Sequence, residues 1–149
     1  MADIIFQGGF KALVDGDLEG APDIRLKLVM SAFSAEVDAI NLEDFANIDE
    51  FDGLGYQEID CENVDFSYDS AEDEYQLTFD AAEFNADGET VTPGSDDAEG
   101  LLVYLYVDGT DANDIAIGYT DSGGFPVTGA NTAIQYTPNP DGLLVLRAA

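Results

Sequence analysis

Histidine is missing from this 149-residue sequence, cysteine occurs once, and only four residues are basic. Each scarcity narrows what the chain can do. Without histidine, the usual base for a serine or cysteine nucleophile and the commonest transition-metal ligand are both gone. Cys61 alone cannot form an internal disulfide, and nothing points to an oxidising compartment. Lys11, Arg25, Lys27 and Arg147 do not form the basic cluster that displaces phosphate counterions, so no nucleic-acid partner is expected. No apolar run approaches the roughly 18 to 20 residues that cross a bilayer, so no membrane partner is expected either. The opening Met1-Ala2-Asp3-Ile4-Ile5-Phe6-Gln7 lacks the basic start and apolar stretch of a secretion signal.

What the sequence has in excess is acid. Asp and Glu number 32, the formal net charge is -28, and the acid runs from Asp3 to Asp141. An acidic partner-binding patch is normally local, whereas this charge is spread along the chain. In dilute buffer it works against the compact state. At molar salt the screening length falls to about 3 Å and the repulsion largely disappears. Short, strongly hydrated carboxylates with few lysine stems suit a protein of a salt-loving host. Hydrophobic residues make up 46% of the chain, enough to bury a core, so disorder is a poor reading.

Hydrophobic periodicity reads mostly as strand. Phe6, Phe10 and Leu13 stand at helical spacing, weakened by Gly8 and Gly9, and Asp15-Gly16-Asp17 ends the pattern, which predicts a short docked N-terminal helix or turn. Ile24, Leu26, Leu28 and Met30 alternate with Arg25 and Lys27, the period of a half-buried strand. Asn41 followed by acid, then Leu42, Phe45 and Ile48, predicts a second short helix. From Gln57 onward all is β. A change of parity near Glu62 and Asn63 suggests a β-bulge, and Asp69 to Asp73 turns a hairpin into Tyr75, Leu77, Phe79 and Ala81. Asn85 to Gly100 reads as a long polar loop. Leu101 to Val107 is apolar without alternation and should lie centrally, buried on both faces. Further strands are expected around Ile115 to Tyr119, Ile134 to Tyr136 and Leu143 to Leu146. The expectation is one all-β domain over residues 1–149, a sandwich or barrel of six to seven short strands, with one or two short helices near the N-terminus.

Several blocks carry a resemblance. They are Phe6-Gln7-Gly8-Gly9-Phe10-Lys11-Ala12-Leu13, the strand from Ile24 to Met30, Phe45 to Phe51 with Leu54-Gly55-Tyr56, and above all Leu102-Val103-Tyr104-Leu105-Tyr106-Val107-Asp108-Gly109-Thr110-Asp111-Ala112. Ile115 to Asp121 and Phe125-Pro126-Val127-Thr128-Gly129 follow. Over nearly its whole length this order resembles a family of small virion proteins of tailed phages, known as head-decoration, minor-capsid or structural proteins. The chain departs from that pattern in having no histidine near Phe45 and in being far more acidic. The resemblance implies a non-enzymatic, cofactor-free capsid decoration or cement protein, assembled in the host cytoplasm and resident in the virion. The major capsid protein would be its partner, and copies would form a homo-oligomer, with trimers at three-fold positions as the expectation. A tail or neck component of the same virus is the alternative. A halophilic carbohydrate- or calcium-binding module is a third reading, but the tyrosines at 104, 106 and 119 lie in strands that read as buried.

Three features are candidate sites. With 32 carboxylates, close acidic pairs arise by chance, so a solvated surface is a better reading than acid–base catalysis. Asp108, Asp111 and Asp114 could offer oxygen ligands to calcium, although the segment lacks the glycine and closing glutamate of an EF-hand loop. Arg25 and Lys27 place half the positive charge on one face of one strand. They either pair with carboxylates of their own subunit or form a docking face for an acidic neighbour. Arg147 has the same two readings. Cys61 shares a face with Ile59 and reads as a small core residue.

Overall fold

The alternation from Ile24 to Met30 is strand in space as well as in sequence, and the rest of the fold is arranged around it. The structure, a computed structural model, describes residues 3–30, 48–86, 89–110, 113–121, 124–128, 130, 133–137 and 144–147. Its elements are β1 (Asp3–Ile5), α1 (Gln7–Asp15), β2 (Ile24–Val29), β3 (Ile59–Asp60), β4 (Asp65–Asp69), β5 (Glu74–Thr78), β6 (Ala82–Glu83), β7 (Gly100–Leu105), β8 (Ile115–Thr120), β9 (Gln135–Tyr136) and β10 (Leu144–Arg147). Of the ten strands among the described residues, β3, β6 and β9 have two residues each, leaving seven longer ones. They form a five-stranded sheet in the order β1-β8-β7-β2-β3, a three-stranded sheet β10-β5-β4 and a β6-β9 pair. Every pairing is antiparallel. The expected helix over 41–48 lies outside the described residues, apart from Ile48.

β7 is central and all six of its residues are buried, but the apolar run outlasts the strand: Tyr106 is half-buried and Val107 is exposed. Its odd residues Leu101, Val103 and Leu105 join Ile24, Leu26 and Leu28 of β2 in a core shared with Leu77, Phe79 and Phe84 from the other side of the sandwich. Its even residues Leu102 and Tyr104 face the opposite way, into a second cluster with Phe6, Val29, Ala116 and Tyr119. Truncating a fully buried leucine such as Leu26 or Leu102 costs about 2–5 kcal/mol.

The expected bulge at Glu62 and Asn63 is instead a turn. Asn63 takes a left-handed φ of +52°, and the chain passes there from β3 in one sheet to β4 in another, so the parity change marks a change of sheet. A bulge does occur in β8. Val103 faces Gly118 and Tyr104 faces Ala116, leaving Ile117 as the extra residue.

That bulge seats α1. The N–H of Phe6, the N-cap residue, donates to the Ile117 carbonyl at 2.9 Å, and Gly9 lies so close that a Cβ there would stand 2.6 Å from the same oxygen. At Gly8 a Cβ would meet the Ala116 carbonyl oxygen at 3.0 Å. The glycines that weaken the helix in isolation are what let it lie on the strand. Gly16, in the left-handed region, ends α1, and the Asp17 N–H reaches back to Ala12. Phe10 points outward, contrary to its expected place on the docked face, and Ala12 takes that place.

The segment from Asn85 to Gly100 is pinned at several points. Val91 and Ala98 are fully buried. The Asn85 side chain donates to the Glu89 carbonyl and accepts the Ile134 N–H at 2.8 Å.

Candidate functional site

On β2 the residues between Ile24, Leu26 and Leu28 are Arg25 and Lys27, and the period of two sends both to the opposite face. The register sets Arg25 beside Tyr104 and Lys27 beside Leu102 of β7. There both cations are largely covered, with side chains 20% and 17% exposed. The Arg25 guanidinium lies over the Tyr106 ring at 3.6 Å, and the Lys27 ammonium is 5.2 Å from the Tyr104 ring centre.

Glu58, just before β3, stands between them. Its Oε1 is 3.4 Å from Arg25 Nη1, and its Oε2 is 3.5 Å from Lys27 Nζ while accepting the Tyr104 hydroxyl at 2.7 Å. Glu50 repeats the arrangement: one oxygen is 3.4 Å from Lys27 Nζ and the other accepts the Tyr56 hydroxyl at 3.0 Å. Asp23 and Asp60 complete the surround of Arg25 at 3.2 and 3.8 Å. Four carboxylates thus face two cations, and the cluster carries two net negative charges.

Tyr56 links this cluster to the sheet. Its oxygen accepts the Leu28 N–H at 3.1 Å while its hydroxyl donates to Glu50. β2 pairs with β3 at Arg25 and Leu26, then bridges Glu50 from Val29, and the tyrosine fills the interval with a side-chain acceptor.

Burial, then the Glu50 charge, pushes the Tyr56 hydroxyl far above its ordinary range. Burial and the bond to Glu58 do the same to Tyr104. Burial opposes the Arg25 charge, but the hydrogen bond and charge of Asp23, with the charge of Asp60, outweigh it and hold the guanidinium protonated. The Cys61 thiol is pushed up to about 12, first by burial and then by Asp60 and Asp23, so it stays a neutral, half-buried packing group. Because each oxygen of Glu50 and Glu58 faces a cation or a hydroxyl, the arrangement suits holding two strands and a loop together more than moving a proton.

The other predicted residues fall elsewhere. Arg147 is on β10 in the three-stranded sheet, opposite Glu74, so it does not share a sheet with Arg25 and Lys27. Asp114 is buried, and its Oδ1 accepts the Val107 N–H at 2.8 Å and the Asp108 N–H at 3.4 Å. Asp108 accepts the Thr110 N–H at 2.8 Å and the Asn113 side-chain amide at 2.7 Å. These bonds, Asn113 first, hold its carboxyl below the usual range. Asp111 lies outside the described residues. Among the described residues no group of three or more acids and cysteines is arranged to hold a metal ion, and Asp108 and Asp114 are engaged by N–H groups of the same turn.

Glu50, Glu58, Tyr56 and Tyr104 were not singled out by sequence as a group. The available signal was tyrosine where phenylalanine would pack as well, since a buried hydroxyl needs a partner. No family model, curated protein or solved structure matches this chain.

Proposed function

We propose that this protein is a non-enzymatic structural domain of a tailed-virus particle from a salt-loving host, and that it decorates the outer surface of the head. The observation that carries the non-catalytic reading is how the reactive groups are used. Glu50 and Glu58 are engaged by Arg25, Lys27 and two tyrosine hydroxyls, and the one thiol is held neutral. The saline setting is supported by a net charge of -28. The virion setting is supported by the resemblance carried by Leu102 to Ala112 and the blocks around it. On this reading the major capsid protein is the partner, and the inward pairing of Arg25 and Lys27 leaves an acidic exterior facing the medium.

Cryo-EM of purified particles, with this chain identified by mass spectrometry, tests the proposal. Copies covering the icosahedral shell are expected. Density confined to the tail or neck would move the chain to the other end of the particle, and its absence from particles would overturn the proposal.

A further inference from the structure

We propose that the outward face of α1 is a two-fold, self-complementary contact for a second copy of this chain. α1 buries Ala12 and lays Gly8 and Gly9 against β8, so its other side is turned to solvent. There Phe10 and Val14, four residues apart and 48% and 85% exposed, form an apolar stripe. Lys11 and Asp15 run along one flank of that stripe and pair with each other. Among the described cationic side chains Lys11 is the one open to solvent, at 77%.

In a molecule of net charge -28, most surfaces repel their own copies. This strip is neutral and apolar. Its order selects one arrangement. When two helices pack antiparallel about a two-fold axis, the same flank of each meets its counterpart running the other way. Lys11 of each copy then faces Asp15 of the other, twice, while Phe10 packs on Val14. A parallel two-fold arrangement would put the Lys11–Asp15 flank of each copy on opposite sides of the contact, so these charges would not meet.

A nine-residue helix spans only about 13 Å, so the contact is far smaller than a standard interface and weak by itself. Its strength should grow where copies are already held side by side, since the second contact is then intramolecular. The contact does not depend on the virion reading.

Sedimentation equilibrium of the full chain at about 1 mM in roughly 0.5 M KCl, where a screening length of about 4 Å suppresses long-range repulsion but leaves contact pairs in place, tests it. A monomer–dimer equilibrium is expected, and Val14→Glu should weaken it about tenfold or more by placing two like charges at the centre. Lys11→Asp and Asp15→Lys should each abolish self-association, and an equimolar mixture of the two should restore it as a heterodimer. Circular dichroism melts confirm that each variant folds, as expected for exposed positions. A monomeric wild type would overturn the proposal and leave the strip to a different partner. So would association that Val14→Glu leaves unchanged, or a mixture no better than its components.

Discussion

On the β2 face, Glu50 and Glu58 meet two cations and two tyrosine hydroxyls, whereas in the turn from Val107 to Asp114 the partners of Asp108 and Asp114 are N–H groups. Both regions hold carboxylates close together in an already acidic molecule. The first uses scarce positive charge to join β2, β7 and the 50–58 segment, which are distant in sequence. In the second, Asp108 and Asp114 accept N–H groups of the same turn. Arg25 and Lys27 thus serve long-range joins, while the contacts of Asp108 and Asp114 stay within the turn. The two should also answer salt differently, since ion pairs are screened and neutral N–H donors are hardly affected.

The largest effect should come from salt itself. Raising KCl from about 0.1 M to 3 M should raise the melting temperature by roughly 10 °C, as general repulsion outweighs the few pairs that are weakened. Scanning calorimetry checks this, and an unchanged midpoint would end the halophilic reading. Next, Glu58→Ala removes the shared acceptor of Arg25, Lys27 and Tyr104. It should cost about 2 kcal/mol by urea unfolding in low salt, less in molar KCl, because Glu58 is partly exposed. Asp114→Ala strands two N–H groups at a buried position and should cost about 1–2 kcal/mol, by the same amount in both salts. Equal salt sensitivity of these two losses would erase the distinction between the regions.

The smallest effect is on pH. The Asp108 carboxyl is depressed in the fold, so its contribution is complete above the ordinary carboxylate value near 3.8 and is lost as pH falls through the lower folded value. The stability gap between wild type and Asp108→Ala, measured from pH 5 to pH 2.5, should therefore narrow as acid is added.

The strands were legible because burial imposes a period of two on β2 and an unbroken apolar run on β7, and both signals lie within a few residues. The bulge at Ile117 was not, because Ile115, Ile117 and Tyr119 alternate without interruption and the extra residue shows only against β7. Asn63 shows the converse, since a turn between sheets shifts parity just as a bulge does. Arg25 and Lys27 were readable as one face. Their partners were not, because Glu50 and Glu58 lie more than 20 residues downstream in a chain where acids are everywhere. The helix-docking role of Gly8 and Gly9 was hidden for a similar reason: local propensity counts them against a helix, and only the strand beneath shows their use.

The covering of Arg25 and Lys27 also sets how the molecule behaves as a colloid. An approaching potassium ion meets carboxylates, while two of the four balancing cations are mostly out of reach. The neutralising charge must then come from mobile ions, held near the surface above their bulk concentration. Such a layer exerts its own osmotic pressure, drawing water toward the protein surface.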